Sequence, residues 1–159
     1  MIGPATSQSK TLRSVLFMCG MNAIRSPMAE ALARAALPKG TYVASAGVRQ
    51  GERDPFVDVV LDEIGLTIGR HQPRTLEELE DDYFDLIVTL APEAHHMALE
   101  LTRSMAVDVV YWPTPDPTVA TGTREQIVSA YRSVRDHLAA LIASRLAAED
   151  HLKGSPPAA

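Results

Sequence analysis

The chain has 159 residues, of which 46% are hydrophobic and 22% charged, a composition typical of one compact globular domain. A formal net charge of -5, without a cluster of Lys and Arg, excludes a broad electrostatic surface for nucleic acid. No apolar run approaches the roughly 18 residues of a membrane span, and the start lacks a signal-peptide pattern, so the sequence predicts a cytoplasmic protein without nucleic-acid or membrane partners.

Polar, aperiodic stretches with Pro and Gly predict a disordered lead at 1–12 and a flexible tail at 150–159, around a single domain at 13–149. The first predicted element is a buried strand over Ser14–Cys19, a continuous apolar run. A helix follows from Met28 to Leu37, with Ser26 as its candidate N-cap.

The alternation of strand and helix continues to the end of the domain. The further predicted elements are strands at 41–46, 85–90 and 107–112 and helices at 54–65, 92–103 and 124–148. This order predicts an α/β fold whose parallel sheet is covered by helices on both faces. Such sheets bind ligands at the carboxyl ends of their strands, and Cys19 lies at one of those ends.

The segment after the first strand has the pattern Cys19, five residues, Arg25, Ser26. A loop of this length before a helix can point successive backbone N–H groups at a phosphate, and the helix dipole adds positive charge. Arg25 supplies a planar, two-pronged donor for phosphate oxygens. The predicted phosphate-binding residues are Gly20, Met21, Asn22, Ala23, Ile24 and Arg25.

Cys19 is the only cysteine, so it has no partner for a disulfide or a cysteine-based zinc site within this sequence. The positive surroundings predicted for its thiol favour the nucleophilic thiolate. Ser26 can donate its hydroxyl to the sulfur and improve it as a leaving group. A buried cysteine that ends a strand is equally typical of a plain core residue, and Arg25 and Ser26 at this spacing favour the functional interpretation.

The sequence resembles the low-molecular-weight protein tyrosine phosphatases. The match rests on Val15-Leu16-Phe17-Met18-Cys19 before the loop, Arg25-Ser26-Pro27-Met28-Ala29-Glu30 after it, Ser45-Ala46-Gly47 and Asp116-Pro117, and it spans about residues 14 to 146. The resemblance implies a three-layer, flavodoxin-like fold with a four-stranded parallel sheet.

The resemblance also implies a metal-independent phosphatase, without a cofactor, that acts on phosphomonoesters and above all on protein phosphotyrosine through a phosphocysteine intermediate. Its implied partners are a phosphorylated protein or small phosphomonoester and inhibitory oxyanions such as phosphate. Cys19 is the implied nucleophile and Arg25 the phosphate clamp. Asn22, Ser26, Ser45 and His71 are implied to support the loop.

Asp116 is the candidate general acid, since a leaving phenolate needs a proton and a nearby carboxylic acid can supply it. An Asp-Pro pair between Pro115 and Thr118 is also typical of a turn. The two interpretations are compatible, because a residue that shapes a turn can still present its carboxyl group to a substrate.

The loop and its surroundings depart from the family pattern. Met21 stands where family members carry Gly, and Ile24 replaces a second cysteine. Ala23 indicates neither a preference for phosphotyrosine nor one for phosphoarginine. Val48-Arg49 and Thr118-Val119 replace aromatic residues, which predicts weaker ring stacking on the substrate. Aromatic surface can come instead from Tyr111, Trp112 or Tyr131.

Several alternatives stay open at this point. They are a phosphoarginine phosphatase, a non-catalytic phosphate-binding or phosphoprotein-binding module, and an arsenate reductase, which would need an external thiol because Cys19 stands alone. A nucleotide-binding domain has weak support, since no strand is followed by a Gly-rich phosphate loop. His95 and His96 predict no metal site, because adjacent residues face different sides of a helix.

Overall fold

A computed structural model describes residues 12–79 and 83–147. Its centre is a four-stranded parallel sheet with strand order β2-β1-β3-β4, which confirms the predicted α/β fold class. The strands are β1 (Ser14–Cys19), β2 (Tyr42–Gly47), β3 (Leu86–Thr89) and β4 (Asp108–Tyr111). The first strand is therefore central, and its residues are buried as the continuous apolar run predicts.

Helices cover both faces of the sheet. They are α1 (Arg25–Ala36), α2 (Pro55–Asp62), α3 (Pro92–Leu101) and α4 (Arg124–Leu141), with a single 3₁₀ turn at Pro117–Val119. The last helix continues as a π-helical segment, Ile142–Ala147, which keeps Ile142 and Leu146 buried. The predicted lead and tail lie outside the described residues, except that Leu12 packs, partly buried, against the core.

The start of α1 differs from the prediction. The helix begins at Arg25, and its N-cap is Ile24, whose side chain makes no capping hydrogen bond. Ser26 therefore lies inside the first turn, where its hydroxyl contacts the sulfur of Cys19 instead of the helix backbone. Elsewhere the predicted starts hold, since the Asp54 carboxylate caps α2 by accepting a hydrogen bond from the backbone N–H of Phe56 at 2.9 Å.

The core has one cluster on each face of the sheet, because side chains alternate along β1. Phe17 and Cys19 face α1, α2 and α4, whereas Leu16 and Met18 face α3. At the carboxyl edge of the sheet Cys19 pairs with Gly47 of β2. Burial on both faces thus fixes the strand that carries the nucleophile predicted from the sequence.

Candidate active site

The loop from Gly20 to Ile24 connects β1 to α1. Within the described ranges, Asn22 is the one non-glycine residue in the left-handed region, with φ of 56°. Asn is among the residues that adopt this conformation most readily. Met21 does not require the glycine-like backbone that its place in the family pattern suggested, and its side chain is 44% exposed.

The segment after β2 runs beside the first half of this loop and fixes its backbone. Three N–H groups donate to three successive carbonyls: Val48 to Cys19 at 3.2 Å, Arg49 to Gly20 at 2.8 Å and Gly51 to Met21 at 3.0 Å. At Gly47 a Cβ atom would lie 2.7 Å from the backbone nitrogen of Asn22 and 2.8 Å from the carbonyl carbon of Met21. A glycine is therefore needed where β2 meets the loop.

Buried side chains support the loop from below. Nδ2 of Asn22 donates to Oγ of Ser26 at 2.9 Å and to Oγ of Ser45 at 3.0 Å. Oδ1 of Asn22 accepts from the backbone N–H of Arg74 at 2.9 Å and lies 3.0 Å from Nε2 of His71. The structure thus brings together the four residues implied to support the loop, with Asn22 at their centre.

Glu30 belongs to the same network and was missed in the sequence. Its carboxylate accepts a 2.5 Å hydrogen bond from the hydroxyl of Ser45 and pairs with Arg34 at 2.6 Å. The residue is 7% exposed, on the inner side of α1. The signal for it was present, because Glu30 lies one helical turn after Ser26 in a run otherwise rich in Ala and Leu.

The tautomer of His71 follows from its neighbours. Asn22 Oδ1 is an acceptor, so the ring nitrogen that faces it, Nε2, carries a hydrogen. Burial lowers the pKa of His71, the Glu30 carboxylate 3.8 Å away opposes that effect in part, and the net direction is downward. A neutral His71 that donates through Nε2 is therefore consistent with the network.

Ser26 is oriented toward the sulfur of Cys19, the predicted nucleophile. Its Oγ lies 3.0 Å from Sγ of Cys19 and already accepts a hydrogen bond from Asn22. The Ser26 hydrogen can then be donated to the sulfur, since the other acceptor, the carbonyl of Ala46, is farther at 3.5 Å. This geometry suits stabilisation of a thiolate at Cys19.

Arg25 connects the loop to the segment that carries Asp116. Its Nη1 donates to the backbone carbonyl of Thr114 at 2.9 Å, two residues before Asp116. Asp116 itself caps the 3₁₀ turn, where its Oδ1 accepts from the backbone N–H of Thr118 at 3.0 Å and from the Thr118 hydroxyl at 2.7 Å. Asp116 therefore shapes a turn and also lies near the guanidinium of Arg25.

The electrostatics of Asp116 favour its ionised form. Partial burial raises the pKa of this carboxyl. The two hydrogen bonds from Thr118 and the charge of Arg25 together lower the pKa by more than burial raises it, so the net pKa lies below its usual value. A phosphate dianion on Arg25 would cancel the nearby positive charge and add negative charge. Bound substrate is thus expected to shift this pKa upward, toward the protonated form that an acid needs.

The histidines and aromatic residues named in the sequence have other surroundings. His95 lies 2.9 Å from the hydroxyl of Thr89 through Nδ1 and stacks on Tyr111, which is 37% exposed. Trp112 and Tyr131 are buried, so they offer no open wall to a substrate. Over 12–79 and 83–147, no three His, Cys, Asp or Glu side chains are arranged to hold a metal ion.

No helix in the described part of the chain has both the length and the apolar character needed to cross a bilayer.

Comparisons with known proteins identify the family. The model of the "Low molecular weight phosphotyrosine protein phosphatase" family matches residues 14–149. An arsenate reductase of Halalkalibacterium halodurans is 30% identical over 124 residues, which cover 78% of this chain and 88% of that protein.

Two solved structures show the same fold. The tyrosine phosphatase AmsI of Erwinia amylovora is 23% identical, with a TM-score of 0.68 over 89% of this chain and 92% of its own. The YwlE arginine phosphatase of Geobacillus stearothermophilus is 24% identical, with a TM-score of 0.71 over 89% and 94% of the two chains. Together with the matched family model, the comparisons show that this chain belongs to the low molecular weight phosphotyrosine protein phosphatase family.

Proposed function

We propose that this protein is a metal-independent phosphatase that hydrolyses phosphotyrosine in proteins through a phosphocysteine intermediate on Cys19. The observation that carries the proposal is the 3.0 Å contact between the Cys19 sulfur and the Ser26 hydroxyl, at the base of a loop closed by Arg25. Family membership supports phosphatase activity in general.

In the first step the phosphate dianion lies against the N–H groups of residues 20–25 and the guanidinium of Arg25. The Cys19 thiolate attacks phosphorus and forms the S–P bond, while the bond from phosphorus to the phenolic oxygen breaks. Asp116 donates its proton to that oxygen, so a neutral phenol leaves. The loop N–H groups and Arg25 stabilise the charge on the three equatorial oxygens.

In the second step Asp116, now ionised, accepts a proton from water as the water attacks phosphorus. The S–P bond breaks, its electron pair returns to Cys19, and phosphate leaves. The hydroxyl of Ser26 stabilises this departing thiolate, because Asn22 already occupies the lone pair of Ser26 that faces it. The residues named here need neither a metal ion nor an organic cofactor for the reaction.

The test is hydrolysis of p-nitrophenyl phosphate by wild type, Cys19→Ser and Asp116→Asn, with and without a chelator. We expect wild type to turn over with the chelator present, Cys19→Ser to be inactive, and Asp116→Asn to be slower by about 10²–10⁴-fold, as for a lost general acid. Asp108→Asn is the matched control, since Asp108 is exposed at the start of β4, at the opposite edge of the sheet. An inactive wild type that still binds phosphate would favour a binding module instead.

A second candidate is arsenate reduction, because several relatives of this chain, among them the one from Halalkalibacterium halodurans, are named arsenate reductases. Here the Cys19 thiolate would displace water from arsenate to form an S–As bond. An external thiol would then attack the sulfur, arsenite would leave with the electron pair of that bond, and a second thiol would reduce the mixed disulfide. Both reducing thiols must come from another molecule, since Cys19 is the only cysteine.

The two functions separate in parallel assays of the same preparation. Arsenite release that requires added glutathione or a dithiol protein, with negligible hydrolysis of phosphotyrosine peptides, would replace the phosphatase proposal. Phosphotyrosine and phosphoarginine peptides of matched sequence then rank the phosphatase substrates, because Ala23 leaves that choice open. We expect faster turnover of the phosphotyrosine peptide.

A further inference from the structure

An ion pair lies beside the phosphate loop and is not used in the reaction described above. Nη1 of Arg49 donates to Oε2 of Glu93 at 2.7 Å, and Nη2 donates to Oε1 at 2.9 Å. Glu93 lies in the first turn of α3, 44 residues further along the chain than Arg49. The pair thus connects the segment after β2 to the helix after β3, at the carboxyl edge of the sheet.

The pair borders the residue that follows the nucleophile. The backbone N–H of Arg49 donates to the carbonyl of Gly20 at 2.8 Å. A Cβ atom on Gly20 would lie 2.5 Å from Oε1 of Glu93 and 3.8 Å from Nη2 of Arg49. The space that a side chain at position 20 would occupy is therefore filled by this carboxylate and guanidinium.

Two parallel hydrogen bonds fix the plane of the Arg49 guanidinium, as in other fork-like Arg–carboxylate pairs. Glu93 is a stable anchor, because hydrogen bonds from Arg49 lower its pKa and the N-terminal end of α3 favours a negative charge. The Arg49 side chain is nevertheless 58% exposed, so a large part of it remains accessible from solvent. A planar cation with accessible surface can stack on an aromatic ring.

We propose that Arg49 is a specificity-determining residue whose guanidinium, held flat by Glu93, stacks on the aromatic ring of the substrate as its phosphate enters the loop. Glu93 is a positioning residue in this arrangement. The inference rests on the proposed function, because it assumes an aryl leaving group. Neither Val48-Arg49 nor Thr118-Val119 carries an aromatic ring. The guanidinium of Arg49 would therefore take the place of a stacking ring.

The test compares two phosphonates that differ in the ring alone. Dissociation constants of benzylphosphonate and methylphosphonate are measured by calorimetry, and their ratio reports the contact with the ring. Arg49→Ala should lower the preference for benzylphosphonate about two- to five-fold, the effect of one exposed cation–π contact. The affinity of Arg49→Ala for methylphosphonate should stay within about a factor of two of the wild-type affinity, since this ligand has no ring.

Further variants separate planarity from charge. Arg49→Lys keeps the charge without the plane and should keep only part of the preference, between wild type and Arg49→Ala, whereas Arg49→Trp should restore the preference for the ring. Glu93→Gln should lower the preference, because the guanidinium loses its charged anchor. Arg103→Ala is the matched control, since Arg103 pairs with Glu100 at the other end of α3.

An unchanged ratio in Arg49→Ala, or full preference for the ring in Arg49→Lys, would overturn the stacking proposal. Equal loss of affinity for both phosphonates would overturn it as well, since Arg49 would then act through its charge on the phosphate. These measurements need no turnover, so they stay separate from the proposed function. If the enzyme hydrolyses aryl phosphates but the ratio of the two dissociation constants does not depend on Arg49, the stacking proposal alone is refuted. If wild type is inactive but the ratios are as predicted, the phosphatase proposal alone is refuted.

Discussion

Replacement of Asn22 tests the structure of the loop through stability rather than activity. Asn22 is fully buried and takes part in four hydrogen bonds, two through Nδ2 and two through Oδ1. At about 0.5–1.5 kcal/mol for each hydrogen bond, its side chain contributes roughly 2–6 kcal/mol. Asn22→Ala should therefore lose a large part of the 5–15 kcal/mol typical of a folded domain.

Asn22→Gly is the control that isolates the backbone. A left-handed alanine costs about 1–2 kcal/mol, whereas glycine pays no such steric cost and loses about 0.5–1 kcal/mol in backbone entropy. Because φ at this position is 56°, we expect Asn22→Gly to be more stable than Asn22→Ala by roughly 0.75 kcal/mol, the difference between the midpoints of the two costs. This order is the reverse of that at an ordinary position.

Urea unfolding followed by the fluorescence of Trp112, the only tryptophan, measures both differences. Trp112 is buried against Phe17, so its emission should change on unfolding. An Asn22→Ala variant as stable as Asn22→Gly would refute the left-handed backbone at this position. Two variants as stable as wild type would refute the energetic importance of the network.

Gly47→Ala should destabilise the fold by at least about 1–3 kcal/mol in urea unfolding, because its Cβ would lie within 2.8 Å of three backbone atoms that cannot move aside easily; wild-type stability would contradict that close packing. Thr118→Val removes one hydrogen bond that lowers the pKa of Asp116, so the basic limb of the pH profile of kcat should move to higher pH if Asp116 is the acid; an unmoved limb counts against that role. Arg132 and, to a smaller extent, Arg135 lower the pKa of Glu63 to about 2, so the pair of Glu63 with these arginines stabilises the fold above the ordinary carboxyl pKa and the contribution disappears as pH falls from about 4.5 toward 2. Glu63→Gln should flatten the fall in stability over that range in acid unfolding curves, and an equally steep fall would exclude the pair as its cause.

The segments that form strands and helices could be predicted better than the residues at which those elements begin and end. The run Ser14–Cys19 gave β1 with the observed bounds, because a central strand is apolar along its whole length. At β3 the predicted strand was one residue too long at each end, because the paired register covers Leu86–Thr89 alone, although the N–H of Leu90 still donates to the carbonyl of Met18 at 2.8 Å. Apolar pattern reports burial, whereas a strand ends where its neighbour stops pairing.

The residues of the loop could be read from spacing, since Cys19 and Arg25 are separated by one short segment that must join a strand to a helix. Contacts across the fold gave no such signal. The pairing of Arg49 with Glu93 depends on the order β2-β1-β3, which places the segment after β2 and the helix after β3 on either side of Gly20. Local propensity carries no information about that order.

The first turn of α1 shows why one residue type admitted two interpretations. Serine is a common N-cap, and Ser26 before Pro27 fits that pattern. In the structure Ser26 instead contacts Cys19, and the helix begins without a side-chain cap. Because the helix already begins at Arg25, the Ser26 hydroxyl lies within its first turn and contacts the sulfur of Cys19 rather than capping the helix.

The central claim is that Cys19 becomes covalently phosphorylated during turnover. Wild-type protein is mixed rapidly with p-nitrophenyl phosphate, quenched in acid within the first turnover, digested and analysed by mass spectrometry. We predict a burst of about one p-nitrophenol for each active site, together with one phosphoryl group on the peptide that contains Cys19 and none in Cys19→Ser. Release of p-nitrophenol without a phosphoryl group on Cys19, or with one on another residue, would contradict the phosphocysteine mechanism.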